Sequence, residues 1–155
     1  MFTKKIKEIC YYVRAFAIWL VFSAAVGAVC GLVGGAFAIT VEEVTHLRQH
    51  TPWLPWLMPV AGLAIAGLYR LLKLPLTIGT DEIIKTVQTQ EHVSLKMAPA
   101  IFLSTALTHL TGGSAGREGA ALQLGGSIGV AMSRMSRLRN DDHRIFQLCG
   151  MAALF

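Results

Sequence analysis

An arginine and a glutamate stand side by side, Arg117-Glu118, inside the string GGSAGREGAALQLGG that covers residues 112–126. Residues 97–116 carry no formal charge, nor do residues 119–133, and six glycines fall within the string. An ionisable side chain in apolar surroundings of this length is costly and marks function by default. Gly116-Arg117-Glu118-Gly119-Ala120 reads as the start of a helix, and Ile78-Gly79-Thr80-Asp81 as the start of another. At such a start the free N–H groups and the positive end of the helix dipole together attract anions. A carboxylate there is an internal anion mimic, able to fill the anion site and to leave it when protonated or displaced. Arg117 reads as a side chain that snorkels or pairs structurally. A phosphate loop is the competing reading of the glycines. It is disfavoured because the lysine-then-hydroxyl ending and a preceding strand are both missing, and Glu118 would repel a phosphate.

The elements that must position these residues belong to a membrane protein. Hydrophobic residues make up 54% of the 155-residue chain and charged ones 15%, whereas soluble domains carry about a quarter charged. Mean hydropathy is +0.53. Ala15 to Val41 is an uncharged run of 27 residues, and Thr51 to Tyr69 one of 19; about 20 apolar residues cross a bilayer. The first run is too long for a signal-peptide core and has no early cleavage site. Lys4, Lys5, Lys7 and Arg14 before it, with Arg70 and Lys73 after the second run, predict a cytoplasmic N-terminus: residues 1–14 form a basic cytoplasmic segment, and 15–155 supply membrane helices. Glu42, Glu43 and Arg48 then fall in a short outer loop, and the net charge of +5 is a topology signal that gives nucleic-acid binding little support.

Further along, Ser23, Gly27, Gly31 and Gly35 recur every four residues and predict a helix-packing face. TPWLPWLMP opens the second span with prolines and interfacial tryptophans. A helical stretch from about Asp81 carries Lys85, Glu91, His92 and Lys96. A third apolar segment, APAIFLSTALTHL, runs into the glycine-rich string. Ala120 to Ser133, about 14 residues, is expected to be a half-length helix beginning near Gly119. Arg134, Arg137 and Arg139 stop it, and a further apolar helix follows to the last residue, so the sequence is expected to be the front part of a larger protein. Cys10, Cys30 and Cys149 are too scattered for a disulfide framework. His46, His92, His109 and His143 share no ligand spacing, and His50 has no nameable partner, so neither a metal, a cofactor nor a soluble enzyme is indicated. His109 reads as a hydrogen-bonded helix residue.

GGSAGREGAALQLGGSIG resembles the GREGP motif of the CLC family of chloride channels and anion/proton antiporters. LTIGTDEII sits where that family carries GSGIP, and RNDDHRIFQLCGMAALF resembles the helix that follows GREGP. The likeness covers about residues 10–155. It implies an all-α integral membrane fold with discontinuous, short and tilted helices, the first part of an inverted-repeat transporter whose subunits pair as homodimers. It also implies that Glu118 is the gating, proton-coupled glutamate, and that Ile78, Gly79, Thr80, Gly116, Arg117, Gly119 and Ala120 line the anion path.

Two departures sharpen the resemblance. Ala120 replaces the motif's proline, and Ile78 stands where chloride-transporting members have a serine, with Thr80 and Asp81 replacing the Ile-Pro. An apolar residue at the serine position and GREG without its proline are similar to the fluoride-exporting clade, which has methionine there in a GMGT-like string. The resemblance therefore implies proton-coupled fluoride export. A chloride/proton antiporter or chloride channel is the alternative, and a non-transporting membrane fragment a further one.

Overall fold

The computed structural model describes residues 2–76, 79–89, 94–135 and 140–155. Ile78, Glu91, His92, Arg137 and Arg139 lie outside the described residues. Six α-helices follow one another: α1 (Phe2–His50), α2 (Met58–Leu72), α3 (Thr80–Thr89), α4 (Met97–Leu110), α5 (Arg117–Met135) and α6 (Asn140–Leu154), with a 3-10 turn at Leu54–Leu57 ahead of α2. No strand occurs among the described residues.

α1 has 49 residues, about 74 Å at 1.5 Å per residue. It exceeds the expected span at both ends, absorbing most of the basic N-terminal segment and the stretch read as an outer loop. Glu42, Glu43 and Arg48 do not end it, because isolated charges are compatible with helical backbone. Pro52 ends it, by disfavouring helical backbone in the residue before it. Arg48 and His50 occupy the last turn, where basic groups complement the dipole.

α2 closes on Lys73, which adopts left-handed backbone (φ 57°), and Leu74 N–H bonds to the Tyr69 carbonyl at 2.9 Å. α4 closes in the same way on Gly112 (φ +87°), with Gly113 N–H bonded to the Thr108 carbonyl at 2.8 Å. Here the glycine avoids the cost of about 1–2 kcal/mol that left-handed backbone imposes on a residue such as Lys73. Polar side chains of α4 are satisfied by their own helix: Ser104, Thr108 and Thr111 donate to carbonyls of the preceding turn, and His109 Nδ1 lies 2.9 Å from the Thr105 carbonyl. The reading of His109 as a hydrogen-bonded helix residue therefore holds.

Two expectations on length need correction. α5 has 19 residues, about 28 Å, rather than 14. It starts two residues before Gly119, as allowed, but its glycines do not shorten it, because they are covered by α6. α4, with 14 residues or about 21 Å, and α3, with 10, are the shorter helices, both well under the hydrocarbon thickness. Likewise Lys96, expected in the stretch that begins near Asp81, is the N-cap of α4, while α3 covers Thr80–Thr89 among the described residues.

α5 is the centre of the assembly, with ten of its residues buried, from Ala120 to Ser133. It crosses α6 at backbone contact. A Cβ at Gly125 would overlap the Gly150 carbonyl, one at Gly129 the Phe146 carbonyl, and one at Gly150 the Gly125 carbonyl. α1 covers this pair with Val26, Cys30, Phe37 and Val41. Phe146 is enclosed by Trp19 and Phe22 at centroid distances of 5.9 and 5.5 Å, and Phe37 meets Phe102 of α4 at 5.4 Å.

The small-residue stripe predicted on α1 does not make this packing. A Cβ added at Gly27, Gly31 or Gly35 meets nothing within 4 Å. The face of α1 turned to the core is the neighbouring one, because large apolar side chains there fill the space over α6. Outward, Leu32, Trp56, Leu63 and Leu71 are at least three-quarters exposed. Both Glu8–His50 and Leu54–Leu72 are long and apolar enough to cross a bilayer, the surroundings that such a surface suits.

Candidate functional site

The glycine-rich string breaks the chain between α4 and α5. Residues 113–116 are non-helical, and the first bond of α5 runs from Ala120 N–H to the Gly116 carbonyl at 3.2 Å. Gly116 is thus the cap, and the N–H groups of Arg117, Glu118 and Gly119 have no partner within the helix. Three donors and the positive end of the dipole converge there.

Glu118 and Arg117 are both exposed at this start. They line a groove of about 380 Å³ whose other wall is the small-residue face of α1: Gly31, Gly34, Gly35 and Ala38. Gly31 and Gly35 of the predicted stripe, which leave room rather than pack, thus line the groove together with Glu118. Ala121 and Leu154 close the groove's floor, and Ala120 turns into the core beside Leu124. Among the described residues, neither Glu118 nor Arg117 has a hydrogen bond or ion pair from its side chain, so of the two readings of Arg117, snorkelling or pairing, the pairing has no partner there.

The structure therefore gathers Gly116, Arg117, Glu118, Gly119 and Ala120 at one helix end. Gly79 and Thr80 begin α3, as the sequence predicts. α3 joins α5 where Ile83 faces Gly126, a contact of 3.4 Å to a Cβ built there. That join is nine residues past Arg117, in the body of α5.

Sequence reasoning missed three features. The α5–α6 crossing had a signal, since Gly125 and Gly129 are four residues apart. Gln147, inside the apolar run RIFQLCGMAAL, bonds across to α3. His143 Nδ1 lies 2.6 Å from Ser133 Oγ, across the α5–α6 connection, and that hydroxyl already donates to the Val130 carbonyl at 2.8 Å. The histidine must then be the donor of the link.

Helices with large apolar side chains facing outward, interrupted at a glycine-rich break, are the build of a membrane protein. The chain belongs to the voltage gated chloride channel family, which matches residues 69–155. It is 34% identical over 140 residues to the chloride/fluoride channel protein of Pseudomonas syringae pv. tomato, covering 90% of this chain and 31% of that one. It is 26% identical over 124 residues to an uncharacterised protein of Methanocaldococcus jannaschii, covering 80% and 30%. The fold matches the crystal structure of a CLC-type fluoride/proton antiporter with a TM-score of 0.76 and 28% identity, over 87% of this chain and 35% of that one. The chain thus spans about a third of the length of these relatives.

Proposed function

We propose that the protein carrying this chain exports fluoride in exchange for protons, with Glu118 as the gate. The observation that supports this most is the start of α5: three N–H groups free of helical partners, one of them that of Glu118 itself, whose side chain lines an open groove. An ionised Glu118 competes with an anion for those donors. Protonation removes its charge, the carboxyl group leaves the donors, and an anion takes its place, so one site alternates between proton-bound and anion-bound states. In this reading Gly116, Arg117, Gly119 and Ala120, with Ile78, Gly79 and Thr80, supply part of the anion path. The relatives named above, a chloride/fluoride channel protein and a fluoride/proton antiporter, favour the same ions. A cytoplasmic N-terminus, from the basic residues at 4, 5, 7 and 14, and a homodimer complete the reading.

Ile78 carries the choice of fluoride. Its side chain donates no hydrogen bond, so an anion beside it depends on backbone N–H groups of 79–81. Fluoride is costlier to desolvate than chloride, so selection must come from a tight site or from kinetics at Glu118. In the full-length protein Ile78→Ser is expected to raise chloride efflux relative to fluoride about tenfold, the effect of one added hydrogen bond of roughly 1.4 kcal/mol. Ile78→Met should keep the original preference. Paired efflux from liposomes with the two anions at equal concentration reads the ratio. A parent that already prefers chloride, or a serine variant with an unchanged ratio, would replace fluoride by chloride as the transported ion.

A further inference from the structure

Gln147 is a polar side chain only 3% exposed, on an otherwise apolar stretch of α6. It reaches out of its own helix. Nε2 donates to Thr86 Oγ1 at 3.0 Å and approaches the Ile83 carbonyl at 3.4 Å. Thr86 Oγ1 itself donates to the Ile83 carbonyl at 2.7 Å. Its single hydrogen is thereby committed, and it can only accept from Gln147. The amide nitrogen, not the amide oxygen, must then face α3. The link packs directly over Gly126, where a Cβ would stand in ordinary van der Waals contact with Ile83 and the Gln147 Cγ, at 3.4 and 3.7 Å.

α3 has 10 residues and spans about 15 Å. It is anchored on one face, by Ile83 (1% exposed) and Thr86 (9%). Apolar contact alone fixes neither the rotation nor the height of such a short helix, because it has no direction. Hydrogen bonds do, since they weaken steeply when misaligned, and a buried amide left without its acceptors would be penalised. The link lies about one to two turns from the start of α3 at Thr80.

We infer that Gln147 is a positioning residue for the anion path: its amide, held on Thr86 and Ile83, pins α3 to α6 and so sets the height and direction of the N–H groups at 79–81. The inference rests on the transport reading above.

The test uses the full-length protein and two measurements, amide hydrogen exchange and the concentration dependence of fluoride efflux. Gln147→Leu removes both donors while keeping apolar bulk. Thr86→Val removes the acceptor at constant shape and serves if the first variant does not fold; Thr86→Ser restores it. In Gln147→Leu and Thr86→Val, exchange within 81–89 is expected to quicken about tenfold, with residues 120–133 unchanged. The half-saturating fluoride concentration should rise about three- to tenfold, the equivalent of one or two net hydrogen bonds, with the maximal rate nearly preserved. Thr86→Ser should behave as the parent. Unchanged exchange in α3, equal loosening of α3 and α5, or a fall in maximal rate alone would each overturn the inference. A parent that moves neither fluoride nor chloride would instead overturn the transport reading, while the exchange data still decide whether Gln147 pins α3.

Discussion

Replacing Glu118 by glutamine in the full-length protein is expected to abolish fluoride-driven proton movement while leaving the fold intact. Glutamine has the shape of the protonated acid and takes up no proton. The variant therefore holds the site in one of its two states. Proton uptake by liposomes under an outward fluoride gradient should fall to the level of empty vesicles, and any remaining anion efflux should no longer respond to a pH gradient. The side chain is exposed and makes no hydrogen bond among the described residues, so the change in stability should stay within about 0.5 kcal/mol. A melting temperature close to the parent's would show that lost coupling is not lost fold. Fully retained coupling would remove Glu118 from the gate.

Gly129→Ala is expected to be strongly damaging, as are the equivalent changes at Gly125 and Gly150, whose added carbons also meet backbone carbonyls. The added carbon would overlap the Phe146 carbonyl and sit 3.0 Å from Gln147 Cα, so backbone must yield against backbone. Alanine is the better helix former by about 1 kcal/mol, but the overpacking penalty at a rigid contact runs to about 3 kcal/mol. The net effect is a loss of about 2 kcal/mol or more, and α5 would move off α6 along with the Gln147 link. Gly27→Ala is the matched control. Nothing lies within 4 Å of a Cβ there, so only the helix-forming gain of up to about 1 kcal/mol remains. Thermal unfolding of the detergent-solubilised protein compares the two. A Gly129→Ala protein as stable as the parent would mean that the α5–α6 crossing is looser than its backbone contact implies.

The membrane setting, the helix starts at Arg117 and Thr80 and the resemblance to the family were legible in the sequence. Each depends on local chemistry: length of apolar run, glycines without a continuing pattern, and an acid where charge is otherwise avoided. Helix ends that depend on one residue were also within reach, as Pro52 and Gly112 illustrate. What the sequence could not rank were its two small-residue stripes. Gly27, Gly31 and Gly35 have the cleaner spacing, yet none of them meets a neighbour and Gly31 and Gly35 border the Glu118 groove, whereas Gly125, Gly129 and Gly150 make the close crossing. Spacing says that a smooth face exists, and only the partner's position says whether backbone or open space lies against it. The same holds for Gln147. Alone in the sequence it is one polar residue in an apolar run, and it acquires a partner only when folding brings α6 against Thr86, 61 residues earlier. Local sequence determined where helices begin and which residue carries the charge. Tertiary structure decided what faces that charge and what holds α3, because both depend on distances between segments remote in the chain.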